Sequence, residues 1–283
     1  MYSWISRALA RYLSKPLGNF SVSTSTWEAL VATIRPGDVL LVEGDTRISV
    51  AIKYLTQSTW SHAALYLGDS TDLGQHETGE LNALVEADLE EGIRAIPLSV
   101  YRHCHTRICR PVSLERSDLE ALTEYARQRL GHQYDLKNIV DLARYLFATP
   151  PVPTRYRRRM LALGSGDPTR AICSSFIAQG FQSIRYPILP EVLALPSDDP
   201  RCRECEREFY RIRHHSLFVP RDFDASPYFD VVKPTIAQGF DYRSLEWVKH
   251  QAAGLGGRAD DFDGGADRGG ETTPGFDDPC RIR

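Results

Sequence analysis

The apolar residues of this chain follow one spacing before residue 115 and another after it. From residue 38 to 112 they form short runs bounded by turn residues such as Gly37 and Gly68, which is typical of β-strands. Strands are predicted at residues 39–42, 62–67, 83–87, 92–98 and 105–112. Further on, apolar residues recur at helical spacing. Helices are predicted there at residues 117–130, 135–146, 173–184 and 201–213, with one earlier helix at 47–57. Strands that precede helices in this way predict an α+β fold.

Composition excludes several classes of protein. The chain has 283 residues, 42% hydrophobic and 25% charged, the balance of an ordinary globular protein. Its net charge of −3 argues against a nucleic-acid binder, since such proteins are usually strongly basic. Six cysteines are too few for the disulfide framework of a small secreted domain. No apolar run has the length of a signal peptide or a membrane span. We therefore expect a cytoplasmic protein whose isolated cysteines are free thiols.

The chain divides into three predicted segments. These are an N-terminal helix and linker at residues 1–34, a globular domain at 35–250 and a tail at 254–283. The tail contains eight glycines and six aspartates, a composition that cannot bury a core, so we expect it to be disordered. Within the domain we expect a Pro-, Gly- and Arg-rich loop at 149–170 and a C-terminal extension from residue 186.

Residues 1–17 carry apolar side chains on one face and basic ones on another. Arg7, Arg11 and Lys15 recur at every fourth position, as in an amphipathic helix. Such a helix either docks on the domain or lies on an anionic membrane surface.

Cys173 is a candidate nucleophile because it begins a predicted helix. The backbone N–H groups of a first helical turn point outward, and the helix dipole is positive there. Both effects favour the thiolate, which is the reactive form of cysteine. The same N–H groups can stabilise an oxyanion on a substrate carbonyl. The alternative is a buried cysteine that packs like a small apolar residue.

His62 and Glu86 are polar residues placed in predicted strands. His62 begins its strand, where the ring can project into a cleft. Glu86 lies within an apolar run, where an ionised carboxylate needs a partner. A histidine on a neighbouring strand would supply that partner, and the carboxylate would then orient the imidazole. The alternatives are a structural histidine and a glutamate at a sheet edge with its side chain in water.

Five segments of the sequence resemble the circularly permuted NlpC/P60 hydrolases. They are GDVLLVEGD at 37–45, SHAALYLGD at 61–69, LVEAD at 84–88, GHQYD at 131–135 and CSSFIAQGF at 173–181. The most similar branch is the YiiX/YaeF type, often labelled lipo-like. Its members have a papain-like fold in which the histidine strand precedes the cysteine helix. The resemblance covers roughly residues 35–185 and implies a small antiparallel sheet packed on helices.

Carried over to this chain, the resemblance implies that Cys173 is the nucleophile, His62 the base and Glu86 the third residue of a triad. Other acidic residues near Glu86 are alternatives for the third position: Glu77, Glu80 and Asp88. Ile172 stands where many relatives have tyrosine, so any role of that tyrosine is absent here or supplied by another residue.

Four more residues are candidates for substrate binding: Trp60, Ser61, Tyr134 and Ser174. Trp60 and Ser61 precede the histidine, and Ser174 follows the cysteine. Trp60 could equally anchor the core. Tyr134 and Asp135 match a recurrent pair of the family, for which a turn and helix cap is the simpler role.

A second group of residues has the chemistry of metal ligands. Cys202, Cys205, His214 and His215 resemble half of a zinc site, and the alternative is a helix face with unrelated thiols. The sequence has no Gly-rich phosphate-binding motif. We predict no cofactor and no catalytic metal.

Together these patterns predict a thiol hydrolase that cleaves an amide or ester bond through an acyl-enzyme. The substrate would be a small molecule, a peptide or a lipid. One rival is a lipid acyltransferase of the permuted type, with an acceptor other than water. Another is a catalytically silent module of the same fold that binds a lipid or a partner. It predicts that Cys173 is unreactive at neutral pH.

Overall fold

The computed structural model describes residues 12, 15, 23–69, 71–88, 91–132, 172–196 and 206–244. Several predicted features lie outside these residues. They are most of the helix at 1–17, the helix at 135–146, the loop at 149–170 and the tail at 254–283.

The described elements begin with a strand-rich half. In chain order these are α1 (Trp27–Thr33), β1 (Val39–Glu43), α2 (Arg47–Thr56), β2 (His62–Tyr66), β3 (Leu84–Asp88), β4 (Gly92–Ile96), β5 (His105–Pro111) and α3 (Arg116–Arg127). The second half contributes α4 (Ile172–Ser183), β6 (Glu191–Pro196), β7 (Glu206–Arg211), α5 (Pro220–Asp224), β8 (Phe229–Val232) and α6 (Pro234–Ala237). Short 3₁₀ turns lie at Thr71–Leu73, Leu98–Tyr101, His215–Leu217 and Tyr242–Ser244.

Six strands form one antiparallel sheet in the order β4-β3-β2-β1-β5-β8. β1 lies inside the sheet, and its first four side chains are completely buried. Because successive side chains of a strand point to opposite faces, both faces of β1 must be covered. This explains why β1 is an uninterrupted apolar run rather than an alternating one.

Each face of the sheet has its own core. On one face, Leu41 and Leu65 pack in a cluster with Phe176, Ile177 and Phe181 of α4. The opposite face is covered by α1 and by the 3₁₀ turn that follows β4. Its cluster includes Leu30, Leu40, Val42, Ala64, Leu84 and Tyr101. An antiparallel sheet packed on helices confirms the predicted α+β class.

The orientation of α4 is set by its contact with α3. A Cβ added at Gly180 would lie 2.9 Å from Cδ1 of Leu122 and 3.1 Å from the ring of Tyr125, so the two helices approach closely at this glycine. The hydroxyl of Tyr125 donates toward Oε1 of Gln179 at 2.9 Å and the carbonyl oxygen of Phe176 at 3.2 Å. These contacts hold the helix that begins at Ile172.

The prediction of a helix at 201–213 is wrong, because residues 206–211 form a strand. β7 pairs antiparallel with β6 in a two-stranded sheet, and Val192 lies opposite Tyr210. Aromatic and β-branched residues favour strands when such cross-strand partners exist. The partner strand β6 precedes residues 201–213, so the helical spacing of apolar residues within 201–213 gave no sign of it.

Candidate active site

His62 and Glu86 meet where two neighbouring strands separate. The described pairing of β2 with β3 joins Leu65 to Val85 and Tyr66 to Leu84, and does not reach His62. In the space beyond, Nε2 of His62 lies 2.8 Å from Oε2 of Glu86. His62 is 6% exposed and Glu86 is 0% exposed. The contact is therefore shielded from water.

Cys173 enters the same space from the N-terminal end of α4. Its side chain forms a hydrogen bond with the His62 ring. Since Nε2 of that ring bonds to Glu86, Nδ1 is the nitrogen left for the sulfur. Cys173 is only 4% exposed. The structure thus brings Cys173, His62 and Glu86 into one continuous chain of contacts.

The backbone N–H of Ala63 also donates to the Cys173 sulfur. Residues of an antiparallel strand direct their N–H groups alternately to the two neighbouring strands. The N–H of Leu67 bonds to Ala83 on the β3 side, so the N–H of Ala63, four residues earlier, faces the same side. The described pairing with β3 has ended at that point, and the sulfur of Cys173 accepts the hydrogen bond in place of a β3 carbonyl.

The site favours charge separation between the thiol and the ring. Burial by itself lowers the pKa of His62, but the negative charges of Cys173 and Glu86 outweigh it and raise that pKa to about 10. Burial likewise disfavours the thiolate, yet the charge and hydrogen bond of His62, with the N–H of Ala63, lower the pKa of Cys173. Both directions stabilise a thiolate–imidazolium pair.

Two residues that the sequence analysis missed hold the carboxylate of Glu86. Arg94 donates from Nε and Nη2 to Oε1 at 2.9 and 2.7 Å, and the hydroxyl of Tyr101 donates to Oε2. Burial raises the pKa of Glu86, but His62, Arg94 and the Tyr101 hydroxyl together lower it to about 2. Arg94 carried a signal in the sequence. It is a lone charge in a short apolar strand beside the strand that contains Glu86, and the register pairs the two residues.

The alternatives to Glu86 lie elsewhere. Asp88 is buried and contacts Arg94 at 3.6 Å. Glu80 is exposed and accepts a hydrogen bond from Ser99, and Glu77 is also exposed. Of the four acidic candidates, Glu86 is the one whose contact with His62 the structure shows.

The predicted substrate-binding residues are mostly buried. Trp60 is 3% exposed and donates from Nε1 to Asp224 at 3.3 Å, while its ring stacks on His105. The hydroxyl of Ser61 accepts from the N–H of Gly44 at 2.9 Å. Ser174 is completely buried, with its hydroxyl 3.9 Å from the Cys173 sulfur. These contacts secure the ends of β2 and α4. Tyr134 lies outside the described residues.

Other cysteines and histidines differ from the cluster around Cys173. Burial raises the pKa of the Cys109 thiol well above its usual range, and Cys104 is disulfide-bonded rather than the free thiol expected. Within the described ranges no three potential ligands are grouped as a metal site would require. Cys202 and Cys205 lie outside those ranges, and the ring of His214 contacts the Ser216 hydroxyl at 2.8 Å.

In the part of the chain that the structure describes, none of the helices combines the length and apolarity needed to traverse a bilayer.

Comparison with known proteins gives a family match over part of the chain and a weak likeness to a solved structure. Residues 33–148 match a family described as permuted papain-like amidase enzymes, YaeF/YiiX, family C92. The matched region includes His62 and Glu86 and ends before Cys173. A crystal structure of metalloprotein yiiX from Escherichia coli O157:H7 aligns with a TM-score of 0.40 and 15% identity, over 70% of this chain and 96% of that one. Among curated proteins, none matches the chain.

The matched family description supports a cysteine-hydrolase type of activity on amide bonds. The family match also agrees with the resemblance predicted from the five sequence segments. Residues 33–148 of this chain are thus similar to the permuted papain-like amidase family of the YaeF/YiiX type.

Proposed function

We propose that the chain is a thiol amidase in which Cys173 is the nucleophile, His62 the general base and acid, and Glu86 the residue that orients His62. The observation that carries the proposal is the buried chain of contacts from sulfur to imidazole to carboxylate. A nucleophile that touches a base, which in turn touches an orienting group, is the arrangement of covalent hydrolases.

The reaction begins with the thiolate of Cys173, whose proton already resides on His62. The sulfur attacks the carbonyl carbon of the amide, and the carbonyl oxygen becomes an oxyanion. Backbone N–H groups of the first turn of α4 lack intrahelical partners and can stabilise that charge. His62 then protonates the leaving nitrogen, and the C–N bond breaks. The product of this half-reaction is an amine and a thioester on Cys173.

Water completes the cycle by the reverse use of the same groups. His62 accepts a proton from water, and the resulting hydroxide attacks the thioester carbonyl. The C–S bond breaks, the acid leaves, and the sulfur returns as a thiolate beside the protonated ring. Glu86 stays ionised throughout and holds the imidazole by its bond to Nε2.

Intact-mass spectrometry with a small activated ester tests this proposal. We expect p-nitrophenyl acetate to leave an acetyl group on Cys173 that disappears as the reagent is exhausted. Cys173→Ala should show no adduct, while Cys109→Ala, which removes a buried thiol outside the site, should behave as wild type. Persistent adducts on other residues, or none on Cys173, would contradict the proposal.

A panel of amides and esters then decides the bond that is cleaved. Turnover of amides that depends on Cys173 supports the amidase. If the acyl group leaves Cys173 only when an alcohol or amine acceptor is added, the chain is an acyltransferase of the same mechanism.

A further inference from the structure

The carboxylate of Glu86 is held on all sides. Oε2 accepts from Nε2 of His62 at 2.8 Å and from the hydroxyl of Tyr101. Oε1 accepts two hydrogen bonds from the guanidinium group of Arg94, at 2.9 and 2.7 Å. The two oxygens of an ionised carboxylate offer about four acceptor positions, so Glu86 uses its full capacity.

A carboxylate in this position cannot remain charged without such partners. Glu86 is completely buried, and moving an isolated carboxylate out of water is strongly unfavourable. Without hydrogen-bond partners or a nearby positive charge, the carboxylate would bind a proton and become neutral. A protonated Glu86 would no longer attract the proton of His62, and that proton would return to the sulfur.

We propose that Arg94 and Tyr101 are positioning residues that hold Glu86 as a fixed anion and thereby maintain the thiolate–imidazolium pair of Cys173 and His62. This inference rests on the proposed function and adds to it the residues that regulate the nucleophile. Neither residue forms a described hydrogen bond with the sulfur, whereas both bond directly to Glu86.

The two residues contribute in different ways. Arg94 supplies positive charge and two N–H donors, from Nε and Nη2, to one oxygen of the carboxylate. Its guanidinium is itself held by Asp88 at 3.6 Å and Glu91 at 3.1 Å. Tyr101 is completely buried and contributes a neutral hydroxyl, since burial and the charge of Glu86 raise its pKa well above the usual value. Arg94 therefore controls ionisation, and Tyr101 fixes the orientation of the carboxylate.

The charged and titratable groups around the pair come from four elements. Cys173 faces His62 from α4, Glu86 faces it from β3, and the Tyr101 ring lies 6.1 Å from the His62 ring in the turn after β4. Arg94 on β4 faces Glu86 from the side opposite His62. The result is a row of alternating charge that runs from the buried sulfur to the partly buried guanidinium of Arg94.

The test is the pH dependence of Cys173 alkylation by iodoacetamide, a reagent small enough for a site with little exposed surface. The variants are Arg94→Met, Arg94→Lys and Tyr101→Phe, each checked for folding by circular dichroism and thermal unfolding. Labelling at Cys173 is quantified by peptide mass spectrometry between about pH 5 and 9.

We expect Arg94→Met to move the alkylation profile to higher pH, so that the rate near pH 6 falls on the order of tenfold or more, which corresponds to about one unit in the thiol pKa. Arg94→Lys should recover part of this loss because it restores the charge without the paired N–H donors of the guanidinium. Tyr101→Phe should shift the profile in the same direction by less, and it keeps the proposal testable if Arg94→Met does not fold.

The matched control is Arg110→Met. Arg110 likewise donates from Nε and Nη2 to a buried carboxylate, that of Asp38, at 2.9 and 2.7 Å and away from the site. This variant should keep the wild-type profile. A wild-type profile in both Arg94→Met and Tyr101→Phe overturns the inference. An equal shift in Arg110→Met also overturns it, because the effect would then be a loss of stability.

His62→Ala separates this inference from the proposed function. If His62→Ala shifts the profile and the Arg94 and Tyr101 variants do not, only the positioning role is lost. If His62→Ala leaves the profile unchanged, the proposed thiolate–imidazolium pair is itself wrong.

Discussion

The backbone N–H of Ala63 donates to the sulfur of Cys173 at the point where β2 parts from β3. The N–H group of a strand residue thus stabilises a side chain from a helix 110 positions further along the chain. Because Ala63 directly follows His62, one strand end supplies both an imidazole and a backbone hydrogen-bond donor to the same atom. The separation of the two strands creates the site.

Replacing Gly180 by alanine should loosen the support of Cys173. Alanine is favoured over glycine within a helix by about 1 kcal/mol, but the added Cβ would lie 2.9 Å from Leu122. Overpacking of this kind costs about 1–3 kcal/mol, so we expect a net loss of stability in urea unfolding and slower alkylation of Cys173. A variant as stable as wild type would show that α3 and α4 can move apart freely.

Removing the hydroxyl of Tyr125 tests the same contact without adding volume. Tyr125→Phe loses the hydrogen bonds toward Gln179 and the carbonyl of Phe176 and should cost about 1 kcal/mol. Chemical denaturation measures the loss. An unchanged free energy of unfolding would mean that packing alone sets the orientation of α4.

Acid should destabilise the protein through Glu86. The pKa of this buried carboxyl falls from the model-peptide value of 4.5 to about 2 on folding. A group with a lowered pKa stabilises the fold at pH values above its unfolded pKa, and the contribution is lost as the pH falls through the folded pKa. The relevant window is therefore from about pH 4.5 down to 2.

Glu86→Gln isolates that contribution. It leaves the guanidinium of Arg94 without its main carboxylate, so we expect it to be less stable than wild type at pH 7 by about 3 kcal/mol or more. The difference should shrink as the pH falls through the window, because only wild type then loses a charge. Parallel stability curves for the two proteins would contradict the role of Glu86 as a buried anion.

Alkylation should select one buried thiol over another. Cys109 and Cys173 are both buried and free, but burial raises the pKa of Cys109 while His62 lowers that of Cys173. At neutral pH we expect peptide mass spectrometry to find carbamidomethyl groups on Cys173 and none on Cys109. Equal labelling of both residues would indicate transient unfolding instead of a reactive thiolate.

Much of the sheet could be predicted from the sequence because its strands are short apolar runs between turns. The strand at 206–211 could not be predicted, because the apolar residues of 201–213 have helical spacing. Its partner strand β6 lies outside residues 201–213. The candidates Cys173, His62 and Glu86 stood out by local chemistry and by family resemblance. Their contact depends on strand separation and helix direction, which no local pattern specifies. The role of Tyr101 could not be predicted, because the 3₁₀ turn after β4 brings its side chain to Glu86.

The most direct test of the account is the rate of Cys173 alkylation by iodoacetamide as a function of pH, in wild type and in His62→Ala. Since the ring raises the thiolate population, wild type should react at about pH 6 nearly as fast as at about pH 8. His62→Ala should slow about tenfold for each unit of pH below its thiol pKa, as an ordinary thiol does. Superimposable profiles for the two proteins would contradict the central claim that the imidazole of His62 holds the proton of Cys173.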